Sequence, residues 1–587
     1  MNTFIRKGVV VLALGSICFA QTAATSGTTK KKTTAHKAVS TKAPAATQQD
    51  IQQLKDMLQQ QQQQIQQLQQ QMAQRDQQLS EAQAAVRDAQ SKAAAAESAA
   101  AEQKDATAKL ASDLSDVRTV QTNTATSLQE TQKDFTEKVN NPSTVRYKGV
   151  SLTPGGFIEA AGIWRQRTEQ TDVLSSFNGI PFSGSTPGHL TEFRSTARQS
   201  RLSLLAEGKI GSVKLTGYYE LDFLGAAPTA NENQSSSFTP RQRQLWAQAS
   251  LESGWTFTAG QTWSLITLNK KGIETRGEWL PATIDAQYLP GYDFARLMTA
   301  RVTKTFPNKK GAFAISVENP AYLYGGSGQG VIGTPSYVTT TLAGSASLGN
   351  GNNYTVGLAP DVIAKVAFDP GWGHYEIKGV ARFFRDRVVP NGTTITGGNN
   401  SKVGGGFGAG AILPVVAKKV DIVIQGLAGN GVARFTDSSN VDVIIRPDGT
   451  VSPVRSYSGV VGVETHPTPK FDWYLYGGDE YLGRNAGVMN DLTGASKQFG
   501  YGNPTLNLAG CYAAESAFSC SPSFKSLTQG TTGFYYRFYK GAYGTLQTGL
   551  QYSYTHKNTW SGLNGTTAVS PSANESMVLT NFRYYLP

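Results

Sequence analysis

Arginine sets the chemical question in this chain. Arg201, Arg382, Arg537 and Arg583 each fall on the polar side of a stretch in which polar and apolar residues alternate, and a strand sends alternate side chains to opposite faces. A guanidinium stays charged at any physiological pH and offers a planar fork of N–H donors. Several of them lining a confined space lower the electrostatic cost to an anion of leaving bulk water. Glu220 and Asp222 lie on the same kind of face, so the arginines also have partners for a purely structural network. Arg243 and Arg296 sit where parity is ambiguous, because Gln242, Gln244 and Gln248 claim the polar side of the first of their stretches. A long connection from Ser264 to Gly291 adds Lys270, Lys271 and Arg276 against Glu274, Glu278 and Asp285. Catalysis has no comparable constellation. There are five histidines, without His-Glu metal spacing or a nucleophile elbow, so no enzyme, metal site or cofactor is expected. His374, His466 and His556 read as strand-end residues.

The elements that must hold these arginines are strands. The segment from Arg198 to Leu224 reads as a hairpin with a three-residue turn, in which Leu215, Gly217, Tyr219, Leu221 and Phe223 oppose Thr216, Tyr218, Glu220 and Asp222, with Leu205 a misfit in the first strand. From residue 147 to 587 such pairs repeat, giving sixteen expected strands near 155–166, 197–208, 212–224, 240–252, 255–264, 292–306, 311–319, 357–368, 373–386, 401–413, 417–429, 454–466, 469–482, 528–541, 543–556 and 575–586. Connections are short after even strands, as at Ser253-Gly254, and long after odd ones. An even strand number, short turns on one rim and long loops on the other are the pattern of an outer-membrane barrel. The fold expected is therefore an all-β transmembrane barrel of sixteen antiparallel strands. A secreted sandwich or solenoid also alternates, but it would bury its aromatics rather than place them near strand ends.

The N-terminal part differs in kind. Arg6 and Lys7 precede an apolar run to Phe19, followed by small residues, which marks 1–20 as a signal peptide. Residues 21–50 read as a disordered basic linker, with Lys30, Lys31 and Lys32 able to meet an anionic polymer such as the cell wall. Residues 51–140 read as a long α-helical coiled coil, with one seven-residue register running from Ile51 to Phe135. Its seam does not fix the number of strands. Export places Cys511 and Cys520 in an oxidising compartment, where a disulfide stapling a loop is expected, the alternative being two separate thiols. The net charge of +12 is carried partly by residues 141–587, where 38 Lys/Arg stand against 29 Asp/Glu. No run is long and apolar enough for a membrane helix.

The order Ser200-Arg201-Leu202, then Glu220-Leu221-Asp222-Phe223, then Arg241-Gln242-Arg243-Gln244-Leu245-Trp246-Ala247, then Gly260-Gln261-Thr262-Trp263-Ser264, with Asn581 to Tyr585 near the end, resembles the DcaP-like outer-membrane porins. The resemblance implies a homotrimer of sixteen-stranded barrels in the outer membrane of a Gram-negative bacterium, a coil in the periplasm, and passive uptake of small anionic solutes such as dicarboxylates. Leu586-Pro587 departs from the aromatic residue with which such barrels commonly end. In this reading the third long loop, 264–291, folds inward and narrows a water-filled tube. The partners are outer-membrane lipid, anionic solutes and, through the coil and basic linker, peptidoglycan. No nucleic acid is expected. Two rivals stand beside it: a sugar-selective porin using Tyr474, Tyr476 and Tyr535 on lumen faces, and a cell-wall tether for which the barrel is only an anchor.

Overall fold

The structure is a computed structural model that describes residues 144–587, except 226–237, 344–352, 391–393 and 514–519, together with Gln121 and Thr124, both helical. The expected signal peptide, linker and coiled coil otherwise lie outside the described residues. Among the described residues sixteen long strands form one closed antiparallel sheet: β1 Val150–Arg165, β2 Arg201–Ile210, β3 Val213–Gly225, β4 Thr239–Ser250, β5 Trp255–Trp263, β6 Arg296–Thr305, β7 Gly311–Glu318, β8 Asp361–Phe368, β9 His374–Val388, β10 Gly398–Val416, β11 Val420–Asn430, β12 Arg455–Thr468, β13 Phe471–Leu482, β14 Phe524–Gly541, β15 Gly544–Thr559 and β16 Ser572–Tyr585. Closure is made by β1. It pairs with β16 from Phe157↔Tyr585 to Arg165↔Met577 and with β2 from Ser151↔Glu207 to Phe157↔Arg201. No edge is left to pair with another sheet.

The period-two pattern sets the two faces. Outward positions carry Ile377, Phe407, Val461, Leu475, Tyr552 and Phe582, all exposed, while the residues between them are buried inside. Only hydrocarbon gives such a belt an apolar environment, so the wall is that of a membrane barrel.

Turns differ in detail from expectation. Pairing in the first hairpin continues through Ile210↔Val213, leaving a two-residue turn in which Gly211 takes the left-handed conformation, φ +57°. Between β4 and β5 the Leu251 amide bonds the Trp255 carbonyl and the Gly254 amide bonds the Leu251 carbonyl, with Gly254 at φ +87°. That is a three-residue loop closed by a left-handed glycine rather than a two-residue turn. The expected second strand, 197–208, starts later, at Arg201. A separate short strand, Glu192–Thr196, pairs with the upper part of β1, residues 197–200 leave the ladder, and β2 resumes it at Arg201. Leu205, the misfit, points inward opposite Tyr218.

The expected disulfide is present in the loop between β13 and β14, Cys511 to Cys520.

Candidate functional site

The inner surface has two walls of different character. Along β7 to β15 it carries the loop 264–295, which leaves β5 and crosses the interior instead of rising from the rim. Its first turns are held by lysines on β8 and β9. Lys365 Nζ donates to the Thr267 carbonyl at 2.6 Å, to Asn269 Oδ1 at 2.9 Å and to Glu376, and Lys378 Nζ donates to the Ile266 carbonyl. Farther on, Trp279 Nε1 donates to Glu464 on β12 at 2.8 Å, the Ala282 amide to the Tyr476 hydroxyl on β13, and the Gly291 amide to Glu480 on β13 at 3.0 Å. At that last point backbone meets backbone. A Cβ on Gly291 would lie 2.2 Å from the Gly459 carbonyl oxygen, and one on Gly478 would lie 1.9 Å from that of Pro290, so only glycine lets the loop seat there.

This half of the barrel is therefore packed rather than simply filled with water. Trp279, Ile284, Leu289 and Tyr292 of the loop join Tyr474, Tyr476, Leu527, Met577 and Leu579 in one apolar cluster. Burial has a price in charge. Glu278 and Asp285 are pushed up, to about 7 and about 6, because desolvation penalises their ionised forms more than the nearby Arg301 and Arg165 restore them. Asp293 is pushed to about 7 by the same desolvation, offset in part by Lys378 and the Ser458 hydroxyl.

The opposite wall, β1 to β6 with β16, gathers guanidiniums. Arg243 bonds Glu220 at 2.6 Å and Asp222 at 2.8 Å; Arg241 bonds Asp222 at 2.8 Å; Arg583 bonds Glu159 at 2.8 Å. Arg201 reaches Glu220 only at 3.9 Å, and its Nε has no hydrogen-bond partner. Arg296 makes no salt bridge with a described residue and rests on Trp263 and Phe294, 4.9 and 5.7 Å from the ring centres. Arg201 and Arg583 share Phe157, at 5.1 and 4.3 Å. From the crossing loop Arg276 lies over Tyr218 at 4.7 Å. Six guanidiniums thus stand against the three carboxylates of Glu159, Glu220 and Asp222.

Two local devices aim this cluster. A β-bulge interrupts the β3–β4 ladder between Glu220↔Gln244 and Leu221↔Gln242. Arg243 and Gln244 both turn inward, while Gln242 stays exposed. The parity conflict in the sequence is the signature of this extra residue, which re-aims a side chain. The second device is Gly156 on β1, φ +131°, where a Cβ would lie 2.1 Å from the Arg201 carbonyl oxygen; the glycine lets β1 and β2 meet where the ladder resumes.

Among the arginines and lysines singled out in the sequence, Arg201, Arg243, Arg276, Arg296 and Arg583 converge with Glu220 and Asp222. Four others lie elsewhere, Lys271 among them, exposed on the crossing loop. Arg382 is buried and fully engaged, with Asp361 at 3.1 Å, Asp442 at 2.8 Å and the carbonyls of Gly431 and Ala321; it fastens the loops 319–360 and 431–454 to β9. Arg537 pairs with Asp472 beside the short turn at Pro469. Lys270 is exposed on the crossing loop. Glu159, Arg241, Phe157 and Trp263 belong to the cluster without having been singled out. Tyr474, Tyr476 and Tyr535 do face inward but are covered, at 1%, 1% and 6% exposure, and the hydroxyls of the first two are spent on Gln551 and Glu464.

Above the crossing loop, the loops after β1, β7, β11 and β13 enclose a cavity of about 790 Å³ lined by Phe182, Tyr322, Tyr324, Asn440 and Lys557 among others. Below it a cavity of about 260 Å³ is lined by Glu207, Trp246, Gln248, Arg276 and Arg301.

The outer membrane channel DcaP of Acinetobacter baumannii superimposes with a TM-score of 0.50, covering 75% of this chain and 99% of that one at 15% identity. The chain shares the barrel fold of that channel. Two further solved structures overlap the chain more loosely. An anion-selective porin from Comamonas acidovorans covers 74% of the chain and 100% of its own at 11% identity and a TM-score of 0.37. OprB of Pseudomonas putida covers 74% and 94% at 10% identity and 0.40. No protein-family model and no curated protein matches the chain.

Proposed function

We propose that this chain is an outer-membrane porin through which small hydrophilic, preferentially anionic solutes such as dicarboxylates diffuse down their gradients. The observation that carries the reading is the surplus of guanidinium on the β1–β6 wall, where Arg201, Arg241 and Arg296 keep partial solvent access and Arg276 is exposed. A carboxylate there meets planar N–H forks backed by aromatic rings, and the fixed positive field offsets part of its dehydration. The cavities above and below the crossing loop supply the two approaches. The solute needs no moving helix and no energy source.

Burial of Tyr474, Tyr476 and Tyr535 weighs against the sugar-selective alternative, since covered rings offer no stacking face. In this reading the protein is a homotrimer. A hollow of about 1120 Å³ on the outer wall, among Ala206, Gly208, Gly217, Ala247, Ala259 and Ala300 on β2 to β6, supports it, because small residues let two walls approach closely. The coil and basic linker enter only through the sequence, as a periplasmic extension.

Uptake by proteoliposomes tests the function. Succinate should enter several-fold faster than a neutral sugar or a cationic amino acid of similar size. Equal rates, or faster entry of the cation, would remove the anion preference and leave a general channel.

A further inference from the structure

Below the crossing loop the barrel keeps a second set of polar side chains that the upper cluster does not use. Strand register places them side by side. Gln248 on β4 stands opposite Thr258 on β5, and Thr258 opposite Arg301 on β6. One row nearer the short turns, Ser250 stands opposite Thr256, and Thr256 opposite Thr303. All six line the cavity of about 260 Å³. Thr258 donates to Gln248 at 3.1 Å and Thr256 to Ser250 at 3.2 Å, which leaves the hydroxyls of Ser250 and Thr303 as donors with no acceptor among the described residues.

Arg301 is the member that the fold does not account for. It is 4% exposed, yet among the described residues its guanidinium makes one hydrogen bond, from Nη2 to the Trp263 carbonyl at 2.6 Å, and no salt bridge, while Nε has no partner. Three carboxylates attract it from beyond salt-bridge range, those of Glu318, Glu278 and Glu376. Each is committed elsewhere or close to neutral: Glu318 accepts from the Leu265 amide and the Ser316 hydroxyl, Glu376 is paired with Lys365 at 3.0 Å, and burial pushes Glu278 up to about 7. A buried charge without a partner is costly, so the unused donors beside this cavity point to an anion that the strands do not supply.

A second guanidinium reaches the cavity from above. Arg276 takes the left-handed conformation, φ +67°, in a turn closed by the Gly277 amide on the Glu274 carbonyl and tied to the row by Thr275 Oγ1, which donates to Gln248 at 2.7 Å. A residue with a side chain keeps such a backbone only where its surroundings enforce it. Here it holds an exposed guanidinium over Tyr218, with no carboxylate partner among the described residues. Two carboxylates also line the cavity, but Glu207 is paired with Lys214 at 2.6 Å. Glu274 alone is left against two guanidiniums.

We infer that Arg301 and Arg276, with the hydroxyls of Ser250 and Thr303, form a second carboxylate station on the short-turn side of the crossing loop. Arg276 links it to the first, because the Tyr218 hydroxyl beneath it donates to Glu220 of the upper cluster at 2.9 Å. The inference rests on the anion-channel reading and makes passage two-step: a solute carboxylate leaves the upper guanidiniums and is taken by charge-assisted donation below.

Two measurements on the full-length protein test it. Crystals soaked in 2-bromosuccinate should show bromine anomalous peaks at the upper cluster and in the lower cavity, and Arg301→Gln should remove only the lower one. In planar bilayers the succinate concentration that half-blocks the potassium chloride current should rise roughly fivefold in Arg301→Gln, which loses a charge-assisted hydrogen bond, and about twofold in Thr303→Val, which keeps the side-chain shape and loses the hydroxyl. Heat-modifiable gel migration reports that the barrel is folded, and Thr303→Val carries the test should Arg301→Gln not fold. A peak at the upper cluster alone, or unchanged block in the variants, overturns the lower station and leaves the channel reading standing. Loss of both peaks in Arg301→Gln would make that residue a support for the upper cluster and overturn its role as a ligand. No peak at either place and no block would remove the anion reading itself, and this station with it.

Discussion

The two inner walls hold the same residue types and use them in opposite ways. On β8 and β9, Lys365, Lys378 and Arg382 are each held by backbone carbonyls, with carboxylates added at Lys365 and Arg382, and they fasten loops. On β1 to β6, guanidiniums outnumber their carboxylates, and Arg201 and Arg296 lean on aromatic rings instead. In the proposed function, an inward cation is a fastener when backbone oxygens fill its donors, and an attractor when they do not. The identity of the residue decides neither. The count of acceptors within reach decides both.

Breaking the fastening wall should give the largest effects. Glu376→Ala leaves Lys365 buried without its carboxylate, and removing one partner of a buried pair costs about 3–5 kcal/mol. Denaturant unfolding of the detergent-solubilised protein should show that loss, with a rise in single-channel conductance as the crossing loop loosens. Arg382→Ala should destabilise by a similar amount, about 3 kcal/mol, through the loops it anchors, while leaving the ratio of anion to cation permeability within error.

The attracting wall should respond the other way. Arg201→Ala with Arg296→Ala should lower the anion-to-cation permeability ratio several-fold, since each charge contributes on the order of 1 kcal/mol at a few ångströms in a wet lumen. Stability should move by no more than about 1 kcal/mol, because neither side chain is tightly paired. A large loss of stability with unchanged selectivity would erase the distinction between the walls.

A pH-dependent effect is expected from the buried carboxylates of the crossing loop. Glu278 and Asp285 titrate higher in the folded protein, near 7 and 6, than in an unfolded chain. The native state therefore holds protons that the unfolded state releases above about pH 4. Stability should be highest below that point and fall as pH rises to about 7, by roughly 3 kcal/mol for each group at about 1.4 kcal/mol per pKa unit. Unfolding midpoints measured across pH 4 to 8 check the slope, which Glu278→Gln with Asp285→Asn should flatten.

Much of the barrel was legible because strand parity is a local property. All sixteen strands can be placed from alternation, turn residues and connection length, whereas the inward path of 264–291 is expected only through the resemblance to porins. The cluster was partly legible, and its gaps have physical causes. Arg243 is ambiguous to a period-two reading because a bulge adds one residue. Glu159 pairs with Arg583 across the closure of the barrel, so no local pattern links them. Arg382 reads as a free lumen charge because its partner Asp442 belongs to a distant loop. Tyr474 and Tyr476 have the right parity, but only the folded loop shows that they are covered.

The central claim is that surplus guanidinium on the β1–β6 wall sets the ion preference. Reversal potentials in a potassium chloride gradient test it most directly, comparing the wild type with Arg201→Ala/Arg296→Ala and with Arg382→Ala. Anion preference in the wild type and in Arg382→Ala, with a shift toward neutrality in the double variant, is the expected result. A cation-selective or unselective wild type, or a shift in Arg382→Ala equal to that of the double variant, would contradict it.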